Sequence, residues 1–285
     1  MQIAKRVYSL AQEQNDSALM IGAYLGLAVP LYFLGEFETA REYAMQAIQI
    51  WRSSSVQFPV EEDEALTVSC LIFKGLSEWH FGEIDSCDAT MAEAVSVAKE
   101  LNDMQALDVA LWHAAVLGHL ERNPAEVERC ASDAIELSTR HNFVFWMPQG
   151  EALRGWARSA SGHTAEGISW IENGIRDYRA TGSTLDMPFL LALKAEALHL
   201  ADRTSEALEA IREAEALVER LEVNWWCAEL HRLRGVFLAA LGADETQIEA
   251  SFCAAISTAK QQKSISLAKR AQATYAEYRH QKPER

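Results

Sequence analysis

Proline and glycine are scarce in this chain, six and fourteen among 285 residues, too few for the many turns of an all-β fold. Basic charge is scarce as well. Twenty-six Lys and Arg stand against 41 Asp and Glu, a formal net charge of −15. That balance lacks the basic footprint a phosphate backbone requires, so nucleic acid is not an expected partner, and neither is an anionic membrane. The five cysteines, Cys70, Cys87, Cys130, Cys227 and Cys253, form no CxxC pair and are odd in number. They read as small reduced thiols rather than a disulfide framework. The N-terminus runs straight into a charged helical pattern without a signal-peptide core, and no apolar run is expected to reach the roughly 18 residues of a membrane span. The expected localisation is cytoplasmic. What remains is ample: 49% hydrophobic and 24% charged residues, enough to bury a large core.

Signatures of catalysis are also missing. There is no GxxxxGK[ST] string to cradle phosphates, no HExxH, no GxSxG and no GxGxxG, so no catalytic or cofactor-binding residue is assigned. His113 and His119 lie six residues apart, about 120° out of alignment on a helix, and do not make a metal site. The chain reads as a non-enzyme without cofactor or metal; an enzyme with an unrecognised groove site is the distant alternative.

The chain does contain a repeat. The small residues Gly75, Ala115, Gly155, Ala195 and Gly235 follow one another at 40-residue intervals, preceded by Ala28. Nineteen residues beyond these six stand Ala47, Ala94, Ala134, Gly174, Ala214 and Ala254, again all small. Ala and Gly make up 59 of 285 residues, so twelve hits at preset positions have a chance of roughly one in 10⁸. Small residues on two antiparallel helices let their backbones approach where the axes cross. Seven residues past the first position lie Gly35, Gly82, Arg122, Gly162, Asp202 and Gly242, and four glycines of six suit the left-handed cap that ends a helix. Each unit therefore reads as helix A, a tight turn, helix B and a connector. The first interval is longer, and residues 52–65 read as an extended loop. The last repeat fits better with one extra residue near 247–250. Residues 2–14 resemble a lone B helix and 264–280 a closing A helix, giving about fourteen helices in one domain over 1–285.

Small residues at two fixed positions with a glycine between them resemble the tetratricopeptide (TPR) signature, in a unit longer than the usual 34. Phe145-Trp146 with Leu153-Arg154-Gly155-Trp156-Ala157, and Trp225-Trp226 with Glu229-Leu230 and Arg232-Leu233, look like one group in particular. That group is the C-terminal repeat region of bacterial multidomain signalling ATPases, many of which also carry a class III adenylate or guanylate cyclase domain. The resemblance implies a right-handed, all-α solenoid of about six TPR-like helix pairs with a flanking helix at each end. It further implies a piece of a longer protein, in which binding of a partner in the concave groove controls an upstream ATPase or cyclase. A free-standing TPR scaffold is the alternative.

Two patterns are candidate groove-binding features. Trp79, Trp112 and Trp156 lie on A helices, either as inter-repeat core or as a wall gripping an apolar ligand. Lys74, Arg154, Lys194 and Arg234 each precede the small residue of helix A, and only Ala114 breaks this ladder. It either covers neighbouring helices and pairs with acids such as Glu78 or Glu196, or meets acidic groups on a partner. The expected ligand is a protein or peptide segment, with a small effector as a second class, and a homo-oligomer is compatible with the fold.

Overall fold

The computed structural model describes residues 2–14, 16–53 and 61–281, all helix and turn, with no strand among them. Fourteen helices follow one another: α1 (Gln2–Gln14), α2 (Ser17–Leu34), α3 (Phe37–Ser53), α4 (Glu61–His80), α5 (Ile84–Glu100), α6 (Met104–Leu120), α7 (Pro124–His141), α8 (Met147–Ala160), α9 (Thr164–Ala180), α10 (Met187–Leu200), α11 (Thr204–Leu221), α12 (Cys227–Ala240), α13 (Glu245–Gln261) and α14 (Ile265–His280). The fold class is that of a TPR-like solenoid, with the expected lone helix at either end of the row. Of the expected long loop over residues 52–65, residues 52–53 and 61–65 are instead helical, in α3 and α4, and residues 54–60 lie outside the described residues.

The chain forms two compact units, one running to His113 and one beginning at Ala114. In the first, α2 packs on α1, α3 and α4, and α4 on α5. Its core gathers Ile21, Tyr32, Phe37, Leu71, Ile72 and Leu76, all but fully buried. Helix α2 corrects one sequence expectation. Ser17–Leu34 is an uncharged stretch of 18 residues with a mean hydropathy of 1.8, long and apolar enough to cross a membrane. Here it packs as an A helix, burying Ile21, Ala23, Tyr24, Leu27, Ala28, Leu31 and Tyr32 against its neighbours. An A helix touches the preceding pair, its own B helix and the next A helix, so it is apolar on most of its circumference.

In the second unit the A helices α8, α10, α12 and α14 form a row of successive neighbours, each of the first three also paired with the B helix that follows it. Trp225, Trp226, Tyr178, Phe189, Phe237 and Phe252 are the largest fully buried side chains of this unit. The closest crossing is α8 on α9. A Cβ on Gly155 would stand 2.6 Å from the Gly167 carbonyl oxygen and 2.8 Å from Ile171, which is why the small position of this repeat is glycine.

All six turn positions adopt positive φ: Gly35 at 85°, Gly82 at 76°, Gly162 at 92° and Gly242 at 67°, but also Arg122 at 60° and Asp202 at 59°. The backbone demands the left-handed conformation whether or not glycine supplies it. A second left-handed series ends the B helices at Asn102, Asn142, Gly182, Glu222 and Lys263. These positions are 40 residues apart except for the last step of 41, which places the extra residue in the final repeat. Phe252 rather than Ala254 faces Gly235, and Ala255 becomes the fully buried small residue of α13. Side-chain caps start several helices where sequence allows: Asp16 accepts from the Leu19 amide, Asn123 from Glu126 just before Pro124, and Ser264 from Leu267. Each satisfies a donor the helix cannot.

Candidate functional site

The ladder cations are all paired. Lys74 Nζ lies 2.6 Å from Glu78 and 2.7 Å from Thr90, in a network that Ser86 and Thr90 complete by donating to the same carboxylate. Arg154 donates to Glu128 at 3.1 Å and its guanidinium lies 4.5 Å from the Trp170 ring centre. Lys194 pairs with Glu172 at 2.9 Å and Arg234 with Glu215 at 3.4 Å. In the second unit each carboxylate sits on the preceding B helix: Glu128 on α7, Glu172 on α9, Glu215 on α11. In the second unit the ladder thus ties each A helix to the repeat before it, whereas Lys74 is held within its own repeat, by Glu78 of α4 and Thr90 of α5. Of the three tryptophans, Trp79 and Trp112 are buried in aromatic contact with His80 and His113. Trp156 is buried too, but its Nε1 donates to Glu196 at 3.3 Å, and it alone of the seven candidates joins the feature described next.

That feature is a buried ion network on the A-helix side of the second unit. His119 comes from α6, Arg122 from the left-handed turn after it, Trp156 from α8, Glu196 from α10, Glu229 and Arg232 from α12, and Arg270 from α14. Arg122 bridges the two carboxylates, donating through one terminal nitrogen to Glu196 and through the other to Glu229. Arg232 grips Glu229 through Nε at 3.0 Å and a terminal nitrogen at 2.7 Å. Arg270 donates to the Leu120 carbonyl at the end of α6 and lies 3.5 Å from Glu229. His119 Nε2 lies 3.1 Å from Glu196 Oε1. Phe189 and Trp226 pack on the His119 ring at 5.5 and 5.6 Å. The Glu229 side chain is 1% exposed.

Charge in so dry a place survives only when matched. Burial alone would raise Glu196, but Arg122 and then His119 outweigh it and hold the carboxyl at about 2. For Glu229 burial is likewise overcome, by Arg232, Arg270 and Arg122, and the group lies well below the ordinary range. Burial pushes His119 down, against the pull of Glu196. The imidazole is therefore neutral, with its Nε2 proton donated to the carboxylate. Burial and the repulsion of Arg122 and Arg232 lower Arg270, against the attraction of Glu229. Such an arrangement holds guanidinium and carboxylate groups in fixed forks, and no group of metal-ligating side chains occurs among the described residues.

Sequence reasoning passed over Arg122, Glu229, Arg232 and Arg270. A signal was present. Glu196 stands 40 residues after Trp156 and 80 after Val116, so this carboxylate interrupts an apolar column of the repeat.

No protein-family model matches the chain. A protein of Rhizobium meliloti (strain 1021), called uncharacterized protein R02095, is 25% identical over 196 residues, which are 69% of this chain and 19% of that protein. The chain thus spans about a fifth of this relative. Among solved structures, Bacillus thuringiensis PlcR, crystallised with the peptide PapR7 and DNA, superposes with a TM-score of 0.61 at 14% identity, over 84% of this chain and 82% of PlcR. A STAND signal-transduction ATPase with a TPR sensor, PH0952 of Pyrococcus horikoshii, gives 0.55 at 13% identity over 95% of this chain and 44% of that one. These neighbours share a TPR-like helical repeat fold with this chain.

Proposed function

We propose that this chain is a non-catalytic TPR-type binding module that takes a protein or peptide segment on its A-helix side, and that in a longer cytoplasmic protein it reports the binding to a signalling ATPase or cyclase. The carrying observation is the row α8, α10, α12, α14. Successive A helices stand side by side along it, and the charged groups that join them are fixed by matched partners before any ligand arrives. Preorganisation of that kind lowers the entropy cost of capturing an extended or helical chain. The likeness to peptide-bound PlcR supports a peptide ligand, and the likeness to the sensor-bearing ATPase supports the signalling role. The match of this chain to a fifth of a longer relative supports its place in a longer protein. Lys74, Arg154, Lys194 and Arg234 belong in this reading to the bonding between and within repeats, and Trp156 to the binding side.

The test is amide hydrogen exchange of the whole chain against a peptide library, with the strongest binder mapped. Protection concentrated in α8, α10 and α12 is expected. Protection confined to the outer faces of α9, α11 and α13 would sink the reading, as would nucleotide turnover abolished by a point mutation in this chain.

A further inference from the structure

Helix α14 is held differently from the other A helices of its unit. Of its sixteen residues only Leu267 and Ala271 are buried, whereas α10 buries ten of fourteen. Little apolar area therefore secures it. Its grip is polar and aromatic: Arg270 reaches past α12 to the Leu120 carbonyl and Glu229, Arg232 lies 3.4 Å from the Thr274 hydroxyl, and Tyr275 and Tyr278 lie 5.4 and 5.7 Å from Phe252. Beneath the second half of the helix the fit is poor. A cavity of about 430 Å³ opens over Val236, Ala239 and Ala240 of α12 and Phe252 of α13, and the other side is lined by Thr274, Glu277 and Tyr278 of α14 and by its cap Gln281. Thr274, Glu277 and Gln281 follow Arg270 at four, seven and eleven residues, on one stripe of the helix with Tyr278. Of that stripe only Tyr278 is aromatic, and the three polar members over an apolar floor forgo contacts that close packing would give.

We propose that the A-helix side of α12 is a docking surface for an amphipathic helix of a partner protein, with an arginine in the Glu229–Leu120 acceptor site and large apolar residues four, seven and eleven positions further on, and that α14 occupies this surface as a weak internal stand-in. The proposal rests on the binding-module reading and deepens it by naming the ligand. Hydrogen-bond geometry selects the arginine. The acceptor is a buried carboxylate plus a helix-end carbonyl, which together suit a guanidinium fork, and a chain of net charge −15 attracts basic segments. Displacement follows from the cavity, because a helix that fills it gains apolar burial that α14 leaves unused.

The test uses the full chain and three synthetic helices of residues 264–281: the native sequence, one with Leu at 274, 277 and 281, and the latter with Arg270→Ala. The leucine helix should bind at least tenfold more tightly than the native helix and should strip exchange protection from amides 265–280 of the chain. The Arg270→Ala form should lose at least tenfold of that affinity. A chain carrying Glu277→Leu with Gln281→Leu should fill its own cavity, melt at a higher temperature and bind the leucine helix more weakly. Equal binding by all three helices, binding without loss of protection in α14, or a lower melting temperature for the double variant would each overturn the proposal. Failure here together with A-helix protection by other peptides would leave the binding-module reading standing.

Discussion

Arg122 sits with φ at 60° where four other repeats carry glycine, and a non-glycine residue in this conformation costs about 1–2 kcal/mol. The cost is offset because this backbone aims the side chain between Glu196 and Glu229. Arg122→Gly would relieve the strain but leave both carboxylates short of a partner, and removing one member of a buried pair costs about 3–5 kcal/mol. A net loss of about 1–4 kcal/mol is therefore expected in urea denaturation. Asp202→Gly makes the control. Asp202 shares the conformation at φ 59° and is exposed, so glycine there should be neutral or stabilising by up to about 1 kcal/mol. Asp186 supplies a pH test. Burial raises its carboxyl from 3.8 to about 7, despite the hydrogen bond from Tyr178. The folded state prefers the protonated form, so its contribution to stability is whole below about pH 4 and is lost as pH rises through 7. Asp186→Asn, neutral throughout, should gain on the native chain in melting temperature between pH 5 and pH 8. Parallel curves would refute this.

At the scale of elements, the α8–α9 crossing is the tightest point of the repeat, and Gly155→Ala would place a methyl group 2.6 Å from a backbone oxygen. Overpacking of this kind costs about 1–3 kcal/mol, and more with leucine. Chemical denaturation should order the variants glycine, alanine, leucine. How much of each element was legible depends on what marks it. Helix A, turn and helix B were visible because small residues and turn glycines recur at fixed offsets. The second left-handed series was not, since Asn102, Asn142, Gly182, Glu222 and Lys263 share a conformation but no side-chain chemistry. Helix α2 was overlooked as an apolar run: its eighteen uncharged residues are long and apolar enough for a membrane span, and only packing tells a core helix from one. The ladder was visible as a pattern, yet its direction is set by Glu128, Glu172 and Glu215 on α7, α9 and α11, which no local periodicity reveals. The ion network was hidden for a similar reason, since its members come from five helices.

For the molecule as a whole, the pairs that Arg154 and Arg234 make are partly exposed, with side chains 36% and 45% accessible, and pairs of that kind contribute at most about 1 kcal/mol each. Arg154→Ala combined with Arg234→Ala should lower the melting temperature only slightly and leave partner affinity and its salt dependence unchanged. A collapse of binding with unaltered stability would return the ladder to the ligand surface. Long-range closure is a different matter. Solenoids ordinarily tolerate gain or loss of whole units, because each touches only its neighbours. The hydrogen bond from Arg270 to the Leu120 carbonyl spans 150 positions of sequence, and it forms only when the intervening helices are the right number with the right cumulative twist. The last step of 41 rather than 40 is part of that tally, since one residue turns a helix by about 100°. The network therefore works as a gauge of length. A second unit enlarged or shortened by one repeat is expected to stack well locally and to lose the Arg270–Leu120 bond that joins its ends.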